Sequence, residues 1–262
     1  MIYLKKSFVD ACPVEEADVC LLGIPFDSTS ISHGSRFGPA AIREALKDME
    51  GYDSETGVNP FEKLRIADLG DIEIVPGSYK LTAERIVDTV EWIREQNPEA
   101  FVLSLGGEHL VSLPVIETLK PKTVVQFDAH ADLREDFIGK KYSHADWAHY
   151  VARDFNLVQR GVRSWSEEEG RAIEEVKGNK ISGPTYLTVD MDVFDPAIAP
   201  ETGLPEPSGW SFDEFCNNLD SIKNENLIGA DVVEFSPNGF NSPTAFLAAN
   251  VIKKILCMIA KN

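Results

Sequence analysis

Cysteine is scarce in this 262-residue chain: Cys12, Cys20, Cys216 and Cys257 are the only four, and no two form a C-x-x-C pair. That spacing speaks against a zinc ribbon or a disulfide framework, and scattered free thiols suit a reducing cytosol. Positive charge is also short. Lys plus Arg number 25 against 43 Asp plus Glu, a formal net charge of −18. A chain this acidic is expected to repel nucleic acid and anionic membrane surfaces, and to attract cationic small molecules or metal ions. The plainer reading places most of the excess acid on a solvated surface. Long apolar runs are missing too. The most apolar late stretch, Ala245 to Ala260, contains Asn250, Lys253 and Lys254 and reads as an amphipathic helix too polar to span a bilayer. Charges interrupt the opening MIYLKKSFVDACPVEEAD, so no secretory signal is expected, and the location expected is cytoplasmic. Repeats, low-complexity segments and Gly/Ser linkers are absent.

What is present suffices for a full core. Hydrophobic residues make up 43% of the chain, which excludes disorder. Short apolar, β-branched runs at 19–24, 64–69, 101–105, 123–127, 157–162, 186–189 and 228–233 read as strands. Several carry polar residues only at their ends, as strands buried on both faces do. Helical patterns fall between them, at 40–47, 82–95, 144–154, 166–176, 211–222 and 242–259, with Thr82 as a candidate cap. The alternation predicts one α/β domain, residues 1–262, with a mainly parallel sheet.

Four of these strands run into polar clusters. Residues 101–105 lead into Gly106-Gly107-Glu108-His109, and 123–127 into Asp128-Ala129-His130-Ala131-Asp132. Residues 186–189 lead into Asp190-Met191-Asp192, and 228–233 into Glu234. In an open parallel sheet all carboxyl ends share one edge, where ligands bind. Asp128, His130 and Asp132 would share one face if the extended geometry continues, as would Asp190 and Asp192. With His109 this gives four carboxylates and two imidazoles. So many acids in one place repel unless cations neutralise them, and two divalent ions would balance four aspartates. Carboxylate-rich sites with some imidazole suit Mn²⁺, with Fe²⁺, Co²⁺ or Zn²⁺ as alternatives. Two such ions activate a shared water, which points to hydrolysis. Each element alone has a bland reading, as a helix cap, a turn or a structural histidine.

These residues resemble the ureohydrolase (arginase and agmatinase) family along nearly the whole chain. Gly23-Ile24-Pro25-Phe26-Asp27 and Gly34-Ser35-Arg36-Phe37-Gly38-Pro39 are similar to its N-terminal segment. GGEHL at 106–110, DAHADLR at 128–134, DMDVFDPAIAPETGLPEP at 190–207 and Val233-Glu234-Phe235-Ser236-Pro237 match its four later motifs in order. The resemblance implies a three-layer α/β/α fold around an eight-stranded, mainly parallel sheet, with residues 180–182 as a short eighth strand. It implies two Mn²⁺ ions per subunit, one held by His109, Asp128, Asp132 and Asp190, the other by Asp128, His130, Asp190 and Asp192. It implies that Glu234 pairs with a guanidinium, that Asp132 helps move a proton to the leaving amine, and that His144 shuttles protons. An imidazole titrating near pH 6.5 suits that last role. The family commonly forms closed homo-oligomers, trimers or hexamers.

The segment DLREDFIGKKYSHA at 132–145 looks most like short archaeal and bacterial agmatinases. The Asn with which arginases grip an amino-acid carboxylate is replaced by Arg134. The leading expectation is therefore a small cationic guanidino substrate, agmatine, cleaved to putrescine and urea. Other amidinohydrolase activities (guanidinobutyrase, formiminoglutamase or arginase) and a non-catalytic metal-binding protein are the alternatives. Arg134 can line the substrate tail, bind a carboxylate, or pair with Glu135, Asp136 or another acid. Asp195 is expected to be structural, and Arg36 to form an ion pair that organises loops. His33 and His149 are expected to play no part. Leu110, Glu201, Leu204 and Ser208 depart from the family pattern without touching a proposed metal ligand.

Overall fold

The computed structural model describes residue 9 and residues 12–261. Seven strands form one parallel sheet among these residues: β1 (Val19–Ile24), β2 (Ile66–Asp71), β3 (Phe101–Gly106), β4 (Thr123–Phe127), β5 (Asn156–Arg160), β6 (Thr185–Asp190) and β7 (Leu227–Val233). Their order is β2-β1-β3-β7-β6-β4-β5. The period-2 alternation of a strand distributes its side chains between two cores. Val19 and Leu21 of β1 join one cluster; Cys20, Leu22 and Ile24 join the other. Leu103, Ala230, Leu187 and Val125 lie in register across β3, β7, β6 and β4 and share the first core.

Among the described residues the α-helices are α1 (Gly38–Asp48), α2 (Pro60–Lys63), α3 (Tyr79–Gln96), α4 (Ser112–Leu119), α5 (Trp147–Asp154), α6 (Gly170–Val176), α7 (Phe212–Asp220) and α8 (Pro243–Lys261). α1, α7 and α8 cover the first face, and α3, α4 and α5 cover the second. Ala41, Ile42, Ala45 and Leu46 form the buried stripe of α1, at the spacing of one helix face. The α/β/α layering is as expected.

Several local expectations are corrected. Among the described residues the sheet has seven strands, not eight. Residues 180–182 lie beside the start of β4, but Ser182 donates its N–H to the Thr123 hydroxyl, so no backbone ladder forms there. Ser78 caps α3, accepting from the Leu81 N–H, while Thr82 sits inside the helix and bonds back to Val75. α5 begins at Trp147 rather than 144, because Ser143 donates its N–H to the Asp146 carboxylate and makes a turn. α8 is apolar and long enough to cross a bilayer, with a mean hydropathy of 1.5 over Pro243–Ala260. Its Ala245, Ala248, Ile252 and Ile255 are instead buried in the first core, so it is a core helix.

Candidate metal centre and active site

The carboxyl ends of β3, β4, β6 and β7 are neighbours in the sheet, so their following residues meet over one edge. β3 ends in a close approach. A Cβ on Gly107 would lie 2.1 Å from the Phe26 carbonyl oxygen, which only glycine avoids. The next turn buries His109 completely. Its Nδ1 lies 3.1 Å from both Asp128 Oδ2 and Asp190 Oδ2, and 3.9 Å from Asp132 Oδ2. On the other side, His130 Nδ1 lies 2.8 Å from Asp192 Oδ2 and 3.7 Å from Asp128 Oδ1. Asp128 thus faces one imidazole with each oxygen.

The extended geometry expected after β4 does not continue. Asp132 adopts φ 53, while His130 bridges in parallel to Ser164. The three side chains reach the site by a turn rather than by alternation. Asp128 Oδ1 accepts the His130 N–H at 2.6 Å and thereby closes that turn. Asp190 Oδ1 accepts the Asp192 N–H at 2.8 Å in the same way.

Electrostatics follow from this crowding. Burial, followed by like charge from neighbouring acids, pushes the carboxyls of Asp128, Asp132 and Asp190 above the usual carboxylate range. Burial opposes the charge of His130, but the Asp192 carboxylate outweighs it and raises the imidazole to about 10. Buried acids in this number need a compensating cation. The donor atoms of His109, Asp128 and Asp132 lie within 4.8 Å of one another, as do those of Asp128, His130 and Asp192. The two groups share Asp128, and this hard, oxygen-rich donor set fits a pair of divalent cations.

Glu234 follows β7 at φ 59. Its N–H donates to the Gly107 carbonyl at 2.9 Å, and its Oε1 accepts the His109 N–H at 2.8 Å. Burial and the nearby Glu108 raise its carboxyl well above the ordinary value. Above it opens a cavity of about 210 Å³, whose walls include Asp132, His144, Trp165, Leu204, Arg134 and Phe137. His144 therefore reaches the site, from a loop rather than a helix. Its N–H donates to the Thr29 hydroxyl at 3.2 Å, and its Nδ1 has no hydrogen-bond partner. Burial lowers its titration to about 4, well below the value near 6.5 expected for a free imidazole. His144 is thus a neutral base at pH 7.

Arg134 pairs with neither Glu135 nor Asp136. Its Nε lies 3.6 Å from Glu169 Oε2, and its guanidinium lies 5.7 Å from the centre of the Phe137 ring. Glu169 is buried and also accepts from the Leu133 and Ser166 N–H groups. Arg36 forms the expected ion pair, with the buried Asp27. Asp195 caps a turn, accepting from the Ala197 and Gly209 N–H groups. Leu110 packs in the second core. Glu201 anchors the segment after Glu234 by accepting the Asn238 N–H and the Ser242 hydroxyl. Ser208 adopts φ 63, which suits the glycine that the family pattern has there. His33 and His149 are not among the residues lining the cavity.

Other supporting residues come to light only in three dimensions. Trp147 stacks on His109 with ring centres 4.1 Å apart and donates its Nε1–H to Asp132 Oδ2 at 2.8 Å. Gln126 donates to Asp128 Oδ2 at 2.7 Å. Arg163 donates to the Asp192 carbonyl at 2.7 Å and the Glu206 carbonyl at 2.9 Å, tying together both ends of the loop that carries Leu204. Buried Glu108 accepts from the Thr29 hydroxyl and N–H and from the Ser30 N–H, which seats the loop against His144. Burial raises the Glu108 carboxyl to about 7. The sequence signal for Gln126 was its polarity within a buried strand.

A parallel α/β/α sheet with paired carboxylates and imidazoles at its carboxyl edge defines a metal-dependent hydrolase class. The sequence pattern of the arginase family matches residues 17–182 and 170–258. The chain is 34% identical to the agmatinase of Pyrococcus horikoshii, over 100% of both chains. It is 35% identical to the N(1)-aminopropylagmatine ureohydrolase of Thermococcus kodakarensis, over 94% of this chain and 92% of that one. Its fold superposes on the agmatine ureohydrolase of Thermoplasma volcanium with a TM-score of 0.85 and 30% identity, covering 100% of this chain and 96% of that one. The chain belongs to the arginase family, a family of binuclear metal enzymes.

Proposed function

We propose that this chain hydrolyses agmatine to putrescine and urea with two Mn²⁺ ions. The observation that carries this reading is Glu234, a buried carboxylate whose fixed oxygen is bound by the His109 N–H beside the acid–imidazole cluster. The similarity to agmatine-cleaving relatives supports the choice of substrate. One ion would be held by His109, Asp128, Asp132 and Asp190, and the other by Asp128, His130, Asp190 and Asp192. When bound, such a pair neutralises the acids and supplies hydroxide near neutral pH.

The chain's own residues do the rest. Glu234 accepts two N–H groups of the planar guanidinium and orients it, as carboxylates do in bidentate pairs. A C–O bond forms at the guanidinium carbon and the C–N bond to the alkyl amine breaks. Both protons of the water end on the leaving nitrogen, which departs as an ammonium. Asp132 lies at the cavity wall, where it can pass a proton to that nitrogen. His144, neutral and with Nδ1 free, exchanges protons at the mouth. Arg134 is neutralised by Glu169 and so borders the substrate tail without repelling its ammonium strongly. The free cysteines fit a cytoplasmic location, and family membership supports a trimeric or hexameric assembly.

The test is urea release by Mn²⁺-loaded protein from agmatine, arginine, guanidinobutyrate and guanidine, with formamide release from formiminoglutamate measured beside it. Preference for agmatine is expected. Preference for a carboxylated substrate would overturn the substrate assignment and make Arg134 its anchor.

A further inference from the structure

One buried acid takes no part in this chemistry. Asp231 sits in the middle of β7, fully buried, where a strand covered on both faces should be apolar. Burying a carboxylate costs several kcal/mol unless it is well bonded, so its presence calls for a use. Its register partner on β6 is Thr188. Asp231 Oδ1 accepts the Thr188 hydroxyl, and Oδ2 accepts the Tyr186 hydroxyl at 2.8 Å. Thr188 Oγ1 in turn lies 2.8 Å from His109 Nε2. All four side chains are buried.

With Asp231 ionised, the polarity of this chain of bonds is determined. A carboxylate only accepts, and a hydroxyl has one proton to give. Thr188 gives that proton to Asp231, so towards His109 it can only accept. His109 must therefore carry a proton on Nε2. Nδ1, the nitrogen 3.1 Å from Asp128 and Asp190, is then the atom that offers a lone pair when His109 is neutral. If Thr188 donated to His109 instead, the proton of a neutral ring would sit on Nδ1 and block it as a ligand.

We propose that Asp231 is a positioning residue that acts through Thr188 to hold His109 in the tautomer able to bind a metal ion. The inference rests on the two-metal reading above. The outer partners of ligating histidines typically contribute 10- to 100-fold to metal affinity.

Mn²⁺ binding by the purified full chain, measured by competition with a chromogenic chelator, tests this. Wild type is expected to bind two ions. Thr188→Val keeps the shape but removes the hydroxyl, and should weaken one of the two ions 10- to 100-fold. Thr188→Ser should restore wild-type affinity, which a merely structural role for the methyl group would not allow. Asp231→Asn should weaken the same ion, and its effect should largely vanish in the Thr188→Val background, because both act on one bond. Circular dichroism checks that each variant folds. If Asp231→Asn does not fold, the Thr188 pair decides. Two ions bound with wild-type affinity by Thr188→Val, or fully additive losses in the double variant, would overturn the relay alone. A wild type that binds no pair of ions would overturn the metal reading and the relay with it.

Discussion

Trp147 gives the most exposed test of how the site is braced. Its ring covers His109, while its Nε1–H holds Asp132 at 2.8 Å, so one side chain steadies two proposed ligands. Trp147→Phe keeps an aromatic face but deletes the donor. A hydrogen bond to a charged group is worth about 1.5–3 kcal/mol. If that energy is spent on holding Asp132 in its ligating position, Mn²⁺ affinity at the His109 side falls about 10- to 100-fold. Trp147→Ala adds a cavity beneath a fully buried ring, for which the expected cost is about 3–5 kcal/mol of folding stability. Calorimetric titration with Mn²⁺ measures the first effect, and urea unfolding of the metal-free protein measures the second. The reasoning is refuted if Trp147→Phe binds both ions as tightly as wild type, or if it destabilises the metal-free chain as much as Trp147→Ala.

Further expectations concern other parts of the molecule. His144→Asn should slow urea release while leaving metal content unchanged; loss of metal would move His144 among the ligands. Arg134→Ala exposes the negative charge of Glu169 at the mouth, so KM for agmatine should fall and KM for guanidinobutyrate should not; the opposite pattern would make Arg134 a substrate anchor. Burial opposes the charge of Asp53, but Lys254 and the Thr56 N–H outweigh it and hold the carboxyl down to about 2, while Lys254 is raised in turn. The Asp53 contribution, about 2 kcal/mol, is therefore complete above about pH 4 and lost as pH falls through about 2. The Lys254 contribution is complete below about pH 10 and lost as pH rises further. Unfolding free energies of wild type and Asp53→Asn at pH 6 and pH 2 should converge at the lower value; a constant difference would contradict the pairing. Chelating the metal should lower the melting temperature, because bound ligand at about 1,000 times its Kd contributes about 4 kcal/mol.

The sheet was legible because its strands are buried on both faces, and apolar β-branched runs report that directly. β1 and β4 match the sequence reading at both ends, while β2 and β5 shift by one or two residues where polar ends blur the boundary. The ligand cluster was legible for a related reason: parallel strands bring their carboxyl ends to one edge whatever the sequence distance. The bracing was not. Thr188, Asp231 and Gln126 look like isolated polar residues within strands, and their partners lie on other strands or beyond their own strand's end. Trp147 reads as an ordinary amphipathic helix residue until the helix is docked on His109. The neutrality of His144 depends on burial by loops from residues 29 and 137, which no local pattern carries. Arg134 finds Glu169, 35 positions away, rather than the acids beside it.

The sharing of Asp128 between the two imidazole sides is the feature on which the metal reading turns. Metal content per chain, measured by plasma mass spectrometry on Mn²⁺-saturated and desalted protein, addresses it with wild type and Asp128→Ala side by side. Two ions in wild type and fewer than one in Asp128→Ala are predicted, since both ions lose a ligand at once. Two ions retained in Asp128→Ala would contradict a shared aspartate and the dinuclear centre built on it.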